Sequence, residues 1–528
     1  MNSEALLLEE IKKLNSRIVD LETKNSSLKE LNSSLEKLND WYIEQFKLLQ
    51  KKKFGRSSEK DSDDQLSFFD LFNESETLKE PIVIEPKEDE IFVSSYKKRK
   101  RKRGENFSGL PVETIEYKLE DEEKVCDNCA SPLTDMKKEV RKELVIIPAQ
   151  VKVVEHVTHV YSCRACDKEG ISGFIKAADS PKALIPKSIV SPSLLAHLQH
   201  EKYVMATPFY RQEGNYTRLG VNLSRQNLSN WDMAGAKILR PLYELIKKEL
   251  LSHELLHADE TVLEVIHEPG RETKGKSYMW LYRTSNDTDH PVVMYDYQMG
   301  RSGDHAKAFL KDWQGKYLHC DGYGGYKKLK DVILCGCLVH AKRKFHEAFI
   351  AGQSNENAKI GENYIKQLFA IEKIADNNNY SYEERLALRQ DKSQKLINEF
   401  YSWINEVSLK TLPQSLLGKA ITYAVNQKEY LCAFLKDGRI QLSNNLAEQS
   451  IRMFVIGRKN WIFSNTANGA ASSALIYGIV QTAIANNLKP EHYLRYVYEQ
   501  IQLQKDLKLE DLLPWSDKIP KECKNKNI

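Results

Sequence analysis

The sequence has no strong excess of charge of either sign and no long apolar run. Its 78 Lys and Arg nearly balance 74 Asp and Glu, so the formal net charge of +4 does not by itself indicate a nucleic-acid partner. The most apolar stretch, residues 470–485, is too short for a membrane span and contains Gln481. Glu4, Glu9 and Glu10 interrupt any amino-terminal signal peptide. These absences predict a cytoplasmic protein without a membrane partner.

Residues 1–53 carry a heptad repeat. One position of the repeat holds Leu or Tyr, and a second holds Ile, Asn or Phe: Leu7, Leu14, Leu21, Leu28, Leu35, Tyr42 and Leu49, then Ile11, Ile18, Asn25, Asn32, Asn39 and Phe46. This combination favours a parallel two-stranded coiled coil, so we predict a dimerisation helix. The alternative is a single helix that docks on its own body. No basic helix runs into its start, which argues against a basic-zipper DNA reader.

Acidic and polar residues dominate the sequence after this helix. Residues 54–105 are therefore predicted to form a disordered linker. Near its end the linker carries seven consecutive basic residues: Lys97, Lys98, Arg99, Lys100, Arg101, Lys102 and Arg103. Such a run can neutralise nucleic-acid phosphates without reading sequence, although it is also typical of a solvated tail. We predict contact with a nucleic-acid backbone.

Two CxxC pairs fall within residues 106–177. Their cysteines are Cys126, Cys129, Cys163 and Cys166. In a reducing compartment, four thiolates at this spacing predict one structural, tetrahedral Zn²⁺ site rather than disulfides or a redox pair. Between the pairs, the alternating Val151, Val153 and Val157 could supply a hairpin.

The remaining cysteines do not repeat this spacing. They are Cys320, Cys335, Cys337, Cys432 and Cys523, and we expect ordinary buried or incidental thiols. Cys335, Cys337 and His340 could mimic a metal-binding trio. Because alternate residues of a strand face opposite sides, packing in the core is the favoured interpretation.

Residues 178–252 are predicted to be mostly helical and resemble a helix-turn-helix. A helix at 208–216, a break at Gly220 and a second helix at 224–237 fit that motif, with Ser224 as the cap of the second helix. The side chains then available for base edges are Arg225, Gln226, Asn227 and Asn230. Plain helical packing fits the same pattern.

The middle of the chain predicts a mixed α/β sheet. β-branched and aromatic segments indicate strands at 255–259, 278–282 and 292–297, then a helix at 306–313, strands at 316–320 and 330–338, and a helix at 339–350. Asp259 ends the first predicted strand and Asp321 follows the fourth. Ligands bind where adjacent strands of an open sheet end, so we expect these two acids to lie close together.

A third acid belongs to a helix that residues 438–461 predict. The first half of this stretch is turn-forming and the second half has apolar residues at helical spacing, so Glu448 lies in the first turns. Arg452 follows one turn later, and the helix is expected to stop at Gly457. A capped surface helix with an ion pair fits this stretch alone. Residues 353–436 have helical periodicity and predict an inserted helical subdomain.

Three converging carboxylates form an oxygen-only site suited to Mg²⁺ or Mn²⁺. Two such ions about 4 Å apart can activate an attacking oxygen and stabilise the leaving oxygen of a phosphodiester. Asp259, Asp321 and Glu448 therefore predict phosphodiester chemistry with two divalent ions per active site.

Several motifs together resemble the DDE transposases of bacterial insertion sequences, specifically the insertion-sequence-sixty-six family. They are His257-Ala258-Asp259-Glu260-Thr261, Asp321-Gly322-Tyr323, Leu338-Val339-His340-Ala341-Lys342-Arg343-Lys344-Phe345, Asp437-Gly438-Arg439 with Asn444-Asn445-Leu446-Ala447-Glu448, and Gly457-Arg458-Lys459-Asn460-Trp461. The resemblance extends over nearly the whole chain, to about residue 494, and it includes a zinc-finger region.

The resemblance implies the fold and the site. It implies a ribonuclease-H-like mixed-sheet catalytic domain over residues 253–352 and 437–490, with the helical insertion at 353–436 and a C-terminal tail at 491–528. In that domain the catalytic, metal-binding triad is Asp259, Asp321 and Glu448. Coiled-coil, zinc-binding and helix-turn-helix-like modules precede it.

The resemblance also implies an activity on double-stranded DNA. A bacterial insertion-sequence transposase binds the terminal repeats, hydrolyses a strand and joins its 3′-hydroxyl to target DNA, without ATP or a covalent protein intermediate. Arg452, Arg458 and Lys459 would position backbone phosphates, and Trp461 would stack on a base or pack in the core. The expected partners are a second copy of the chain, in a dimer or higher oligomer, and accessory proteins encoded by the same element.

Three residues on the predicted helix at 339–350 have two interpretations. His340, Arg343 and Lys344 would lie beside the metals or DNA, or would form a solvated basic face. Two other functional classes also fit the sequence. One is a metal-dependent DNA nuclease that does not join strands, and the other is a zinc-containing DNA-binding regulator whose acids are structural or degenerate.

Overall fold

The computed structural model describes residues 2–54, 150–162, 175–178, 181–270, 276–351, 355–503 and 507–525. The chain divides into two units, Met1–Ser62 with Val154–Ile528, and Asp63–Val153. In the second unit the described residues, 150–153, form no helix or strand. The predicted basic run at 97–103 and the four zinc-binding cysteines, Cys126, Cys129, Cys163 and Cys166, lie outside the described residues.

Helices predominate in the first unit. They are α1 (Asn2–Phe54), α2 (Pro192–Tyr203), α3 (Phe209–Arg218), α4 (Arg225–Ser252), α5 (Gly303–Phe309), α6 (Leu338–Ala351), α7 (Glu356–Asn377), α8 (Tyr382–Leu388), α9 (Gln394–Ser408), α10 (Leu416–Asn426), α11 (Lys428–Leu431), α12 (Asn445–Trp461), α13 (Ala467–Ala485) and α14 (Pro490–Leu503). The strands are β1 (Val160–Ser162), β2 (Ile175–Ala177), β3 (Leu255–His267), β4 (Ser277–Thr284), β5 (Val293–Gln298), β6 (Tyr317–Cys320), β7 (Ile333–Gly336) and β8 (Phe463–Thr466).

The main sheet is mixed, with the strand order β5-β4-β3-β6-β7. β3, β4 and β5 form an antiparallel meander, whereas β6 and β7 run parallel to β3. The short β8 pairs in parallel with the second half of β3. The predicted order of three strands, a helix, two strands and a helix is confirmed, and so is the mixed α/β class.

The first predicted strand is longer than expected. β3 continues eight residues beyond Asp259, so this acid lies within the strand rather than at its end. The prediction failed because it took the charged pair at Asp259 and Glu260 as a boundary. The strand continues because it has partners along its whole length: β4 pairs with β3 as far as Leu263, and β8 pairs with it from Glu264.

Side chains of the parallel strands alternate between two hydrophobic cores. Leu256, Leu318 and Leu334 belong to the first core, which includes residues of α2, α4, α13 and α14. Leu255, Tyr317 and Cys335 belong to the second core, which α6 and the helices between 356 and 435 complete. The predicted insertion at 353–436 is therefore helical where it is described, and it packs on the sheet through its own core.

Residues of two predicted domains, 178–252 and 491–528, pack in the first core. The region at 178–252 has no separate core, because Leu195, Leu228 and Leu239 pack in the first core together with the sheet. Residues 491–503 are not a tail, since they continue α14, whose Tyr493 and Tyr498 are fully buried. The apolar side chains of α14 pack against α2. Charged residues between them in the sequence hid this apolar face from prediction.

Helix α1 leaves its heptad seam uncovered. Leu14, Leu21, Leu28 and Leu35 are 56%, 58%, 60% and 52% exposed. α1 contacts α6, and the Lys419 ammonium lies 5.8 Å from the ring centroid of Trp41. The apolar stripe itself therefore faces solvent rather than the body of the same chain.

The strands near the second cysteine pair lie later than the sequence pattern suggested. Val153 and Val157 are 88% and 75% exposed and belong to no strand. The antiparallel pair forms instead between β1 and β2, from Val160 opposite Ala177 to Ser162 opposite Ile175. No helix in the described ranges is both long and apolar enough to cross a membrane.

Candidate active site

The register of β3 and β6 brings two aspartates to equivalent positions. His257 is paired with His319 in this parallel ladder, and Asp259 and Asp321 each follow two residues later. Because side chains alternate along a strand, each aspartate shares a face with the histidine before it. Asp259 lies within β3 and Asp321 directly follows β6, so the two acids lie near each other, both partly accessible to solvent.

The two histidines form a buried brace beneath the aspartates. Their rings stack, with centroids 4.9 Å apart and planes 6° from parallel. His257 Nδ1 lies 2.9 Å from Asn444 Oδ1, and His319 Nε2 lies 2.9 Å from the Gln441 carbonyl oxygen. Burial lowers the pKa of His257 well below its usual range and the pKa of His319 to about 4, so both rings are neutral at physiological pH.

Asn444 fixes the start of α12, the helix that carries Glu448. Its amide nitrogen donates to the Ala258 carbonyl at 2.9 Å, and its backbone N–H donates to Cys337 Sγ at 3.3 Å. Glu448 lies in the first turn of this helix, as predicted. The helix start is therefore tied directly to the strand that bears Asp259.

Side chains from two other strands hold the same turns of α12. Arg283 Nη1 donates to the Leu446 carbonyl at 3.1 Å and to Ser450 Oγ at 2.8 Å. Tyr295 Oη donates to the Ser450 carbonyl at 2.6 Å. Together with Asn444, these contacts fix Glu448 relative to the sheet.

The three acids interact electrostatically. Burial raises the pKa of Asp259 well above its usual range, and neighbouring charges add to the rise: Asp321, Glu260 and Glu448. Burial also raises the pKa of Asp321, and burial and the Asp321 charge raise the pKa of Glu448. Mutual repulsion of this kind is the state that a bound divalent cation relieves.

The neighbouring Glu260 points to the other face of the sheet and is neutralised there. Arg301 donates to its Oε1 from Nε at 2.9 Å and from Nη2 at 2.7 Å, and Tyr326 Oη donates to its Oε2 at 2.6 Å. Burial raises the pKa of Glu260 to about 7 in spite of these bonds. Asp259 and Glu260 are adjacent in sequence but belong to different environments.

The helix α6 brings His340 and cationic residues to Glu448. His340 Nε2 lies 3.4 Å from Glu448 Oε1, and the charges of Arg343 and Arg452 lower the pKa of Glu448 against the effect of burial. Burial lowers the pKa of His340 to about 3. The Lys344 ammonium lies 5.1 Å from the ring centroid of Tyr423.

One compact group of metal-ligand side chains occurs in the described part of the chain. The Cys337 sulfur, a ring nitrogen of His340 and a carboxylate oxygen of Glu448 all lie within 4.8 Å of one another. This group shares only Glu448 with the predicted triad. Cys335, which the sequence placed near Cys337 and His340 but favoured as a core residue, lies on β7, packs in the second core and is not in this group.

Of the other predicted contact residues, two make contacts within the protein and one is exposed. The Arg458 guanidinium hydrogen-bonds to Thr261 Oγ1 at 3.2 Å and to the Val262 carbonyl, so it attaches α12 to β3. Trp461 packs against the first core, 6.4 Å from Tyr477 between ring centroids. Lys459 is exposed.

The helix α12 does not stop at Gly457, as the sequence suggested, but continues to Trp461. A Cβ at Gly457 would lie 2.2 Å from Trp461 Cη2 and 2.4 Å from Tyr477 Oη. Glycine is required at this position because a side chain would clash with Trp461 and Tyr477, and not because the helix ends there.

The predicted helix-turn-helix residues lie at an exposed helix start. α3 ends at Arg218, Gly220 has φ +85°, and Ser224 caps α4 by accepting the Asn227 N–H. The cap prediction is confirmed. The side chains predicted to contact bases are all exposed: Arg225, Gln226, Asn227 and Asn230.

Sequence reasoning gave no role to the brace of His257, His319 and Asn444. A signal for it exists, because His-x-Asp occurs twice, at His257 to Asp259 and at His319 to Asp321. A repeat of that kind on two adjacent parallel strands predicts stacked histidines below paired aspartates. The role of Asn444 depends on α12 meeting β3 and has no such local signal.

The mixed sheet and its acids define an α/β protein with a carboxylate-rich site. Comparison with known families then identifies the chain: residues 187–472, more than half of it, match the family described as "Transposase IS66 family". The chain belongs to this family and is an insertion-sequence transposase, as its motifs suggested. Residues 123–167 match the "zinc-finger binding domain of transposase IS66", which indicates zinc binding, and residues 41–115 match "Transposase C of IS166 homeodomain".

Relatives of similar length occur in Sinorhizobium fredii (strain NBRC 101917 / NGR234). "Uncharacterized protein y4hP" is 29% identical over 413 residues, covering 74% of this chain and 73% of its own. "Uncharacterized protein y4qI" is 29% identical over 493 residues, covering 89% and 88%. "Uncharacterized protein y4jD" is 28% identical over 428 residues, covering 78% and 82%.

Proposed function

We propose that this transposase cleaves and joins DNA strands at a metal centre formed by Asp259, Asp321 and Glu448. The observation that carries the proposal is the parallel register of β3 and β6, which aligns the two aspartates, together with the anchoring of the first turn of α12 beside them. Three carboxylates thus come from two strands and one helix around a partly accessible point of the sheet.

The sheet supports a ribonuclease-H-like core. The sheet has an antiparallel meander of three strands followed by two parallel strands, with the order β5-β4-β3-β6-β7, and we infer that it is the ribonuclease-H-like domain that the resemblance implied. The first strand is central and supplies the first acid, and its parallel neighbour supplies the second. The insertion between β7 and α12 is compatible with this core because it packs on a separate set of side chains.

The donor set fits Mg²⁺ or Mn²⁺. All three side chains offer oxygen, and burial raises the pKa of each; neighbouring carboxylates add to the rise for Asp259 and Glu448. When bound there, two divalent ions would supply charge stabilisation for the attacking and leaving oxygens of a phosphodiester. The protein's own part is to hold the carboxylates in place, which the His257, His319 and Asn444 brace does from below.

Cationic side chains near Glu448 suit the phosphate backbone of DNA. Arg343 and Arg452 are close enough to lower the pKa of Glu448 against burial, and Lys459 is exposed two turns further along α12. We assign these three residues to phosphate positioning. Arg458 already binds β3, so its assigned role is to attach the helix rather than to contact DNA.

Terminal-repeat recognition is assigned to the start of α4. Arg225, Gln226, Asn227 and Asn230 are exposed there, and Gln226 Nε2 donates to Asn230 Oδ1 at 3.1 Å. Amide side chains in this position can read base edges in a major groove. The proposed zinc ligands remain Cys126, Cys129, Cys163 and Cys166, and the run from Lys97 to Arg103 remains a proposed backbone contact.

The exposed seam of α1 supports dimerisation through a coiled coil with a second copy of the chain. Leucines at heptad spacing, each more than half exposed, bury their side chains when two such helices pair. Replacement of Leu28 and Leu35 by Asp is expected to give monomers in analytical ultracentrifugation. The matched control replaces Ser26 and Ser33, which lie off the seam, by Asp. Dimers that persist in the leucine variant would contradict the assignment.

The activity is tested with labelled element-end DNA and Mg²⁺ or Mn²⁺. Asp259→Asn, Asp321→Asn and Glu448→Gln are each expected to bind DNA but to yield neither cleaved nor joined product. Asp296→Asn is the matched control, because Asp296 is a buried carboxylate on β5 that hydrogen-bonds with Gln298 away from the site. Glu260→Gln tests the adjacent acid separately. Full activity in any of the three triad variants would remove that residue from the site, and cleavage without joining in the parent would indicate a nuclease.

A further inference from the structure

Three side chains of different chemistry meet where α6 and α12 begin. Cys337 immediately precedes α6, His340 lies in the first turn of α6, and Glu448 lies in the first turn of α12. Their ligand atoms all lie within 4.8 Å of one another. Sulfur, imidazole nitrogen and carboxylate oxygen at such distances are the ligands that Zn²⁺ takes in proteins.

The surroundings prepare these atoms for a cation. The Cys337 sulfur accepts the backbone N–H of Asn444 at 3.3 Å and also those of Val339 and His340. Backbone N–H groups directed at one sulfur stabilise negative charge on it. Burial acts against these donors and raises the pKa of the Cys337 thiol to about 12, so the donors offset part of the cost of ionising it when a cation binds.

The carboxylate oxygen that faces this group lacks an ordinary partner. Glu448 Oε1 is buried and makes no hydrogen bond to any described residue, while His340 Nε2 lies 3.4 Å away. A buried oxygen left in this condition costs free energy, which a bound cation recovers. This is a second observation, independent of the spacing of the three residues, and it also indicates a ligand.

We propose that Cys337, His340 and Glu448 bind one thiophilic divalent ion of the Zn²⁺ or Co²⁺ class, with the fourth position open to water. The site is distinct from the oxygen-only centre because it contains a sulfur and a nitrogen ligand, which Mg²⁺ does not favour. It is also distinct from the zinc-finger region at 123–167.

The shared ligand links this ion to the activity. Glu448 serves both sites, so an ion held by Cys337 and His340 competes with the aspartates for its carboxylate. Zinc is thus an inhibitor of the Mg²⁺-dependent reaction. This consequence rests on the proposed function, whereas the binding of the ion does not.

Metal content tests the binding directly. The full chain is dialysed against excess Zn²⁺ and then against buffer, and bound zinc is counted by mass spectrometry for the parent, Cys337→Ser and His340→Gln. Each variant is expected to hold one ion fewer than the parent. Cys335→Ser, a buried cysteine on β7 outside the group, is the matched control and is expected to match the parent.

A spectroscopic measurement covers the case in which a variant does not fold. Co²⁺ bound to the parent is expected to absorb through sulfur-to-cobalt charge transfer at two kinds of site, the finger and this one. Glu448→Gln keeps the size of the side chain and both α6 ligands, so its spectrum is expected to lose tetrahedral intensity without loss of helix in circular dichroism. Equal metal content and equal spectra in the parent, Cys337→Ser and Glu448→Gln would overturn the proposal.

Inhibition separates this proposal from the proposed function. With the parent active in Mg²⁺, added Zn²⁺ is expected to inhibit, and Cys337→Ser is expected to need about 10- to 100-fold more Zn²⁺ for the same fractional inhibition. A parent without Mg²⁺-dependent cleavage but with the extra ion would refute the function and keep the site. A parent that cleaves DNA but holds no ion at Cys337 would refute the site and keep the function.

Discussion

The helical insertion and the carboxylate site of the sheet both remove acids from bulk water, but they neutralise them differently. In the insertion, Glu372 accepts from Arg389 Nε at 2.8 Å and from Arg389 Nη2 at 2.7 Å, and from Arg385 Nη1 at 2.9 Å. The carboxylates of Asp259 and Asp321 instead accept backbone N–H groups, those of Glu260 and Tyr323 respectively. The insertion neutralises its acid with arginines, whereas the acids of the sheet are the proposed ligands of a cation.

The ion pair of the insertion has a structural role, whereas the acids of the sheet are proposed to have a functional one. Arg389 is 1% exposed and also donates to the Phe434 and Asp437 carbonyls at 2.9 Å, so the pair joins two ends of the insertion. Nothing in that arrangement leaves room for a ligand. At the sheet, burial and then repulsion from like charges raise the pKa of Asp259, a cost that folding alone does not repay.

The largest expected effect on stability comes from removing the arginine that pairs with Glu372. Arg389→Ala leaves Glu372 buried with two of its three arginine hydrogen bonds removed and is expected to cost about 3–5 kcal/mol of unfolding free energy. Chemical denaturation measures the loss. The control is Lys395→Ala, which removes an exposed ion pair with Asp391 and is expected to leave the denaturation midpoint unchanged. Equal stability of Arg389→Ala and the parent would show that the network is not structural.

The second effect is stabilisation by Mg²⁺. An ion that binds only the folded acids at a concentration 100 times its Kd raises the unfolding free energy by about 2.7 kcal/mol. The rise in melting temperature on Mg²⁺ addition is expected in the parent and in Asp296→Asn but not in Asp259→Asn. The same rise in Asp259→Asn would place the ion elsewhere.

A smaller effect of opposite sign is expected without divalent ions. Like charges about 4 Å apart repel by about 1 kcal/mol even at the dielectric constant of water. Asp321→Asn removes one of these charges and is expected to raise the melting temperature by roughly 2–4 °C. Scanning calorimetry in metal-free buffer measures the change. A decrease would mean that Asp321 is neutralised within the protein, as Glu372 is.

The smallest effect concerns a partly exposed pair between α6 and α7. Burial opposes ionisation of Glu362, but hydrogen bonds from His346 and Lys366 lower its pKa to about 2. Its folded pKa is depressed, so its contribution to stability is present above the unfolded value of 4.5 and is lost as pH falls toward 2. The stability difference between the parent and Glu362→Gln, measured by denaturation from pH 7 to pH 2, is expected to shrink over that window. A difference constant across the window would contradict this assignment.

Local patterns predicted the elements and the motif residues of the site. β-branched segments gave the strand order, and Ser224 gave a helix cap because its side chain accepts a nearby N–H. These features depend on neighbours in sequence, so a single sequence contains them. The acids Asp259, Asp321 and Glu448 were proposed as site residues in the same way, as charges next to apolar runs.

Features that depend on contacts between distant segments were not predicted. The length of β3 follows from its pairing with β8, and the burial of Tyr493 follows from the packing of α14 against α2. The sequence predicts a helix end at Gly457, but this residue lies within α12, where the lack of a side chain allows close contact with Tyr477. The meeting of Cys337 and His340 with Glu448 likewise requires that α6 and α12 begin at the same point of the sheet.

The order in which the chain is made has a consequence for the cell. A ribosome that adds about 5–20 residues per second needs on the order of ten seconds between Asp321 and Glu448. During that interval the nascent protein carries both aspartates but not the glutamate, and α12 has no start to dock on Ala258. On the proposed assignment, the third carboxylate therefore joins the two aspartates only after the insertion has been synthesised.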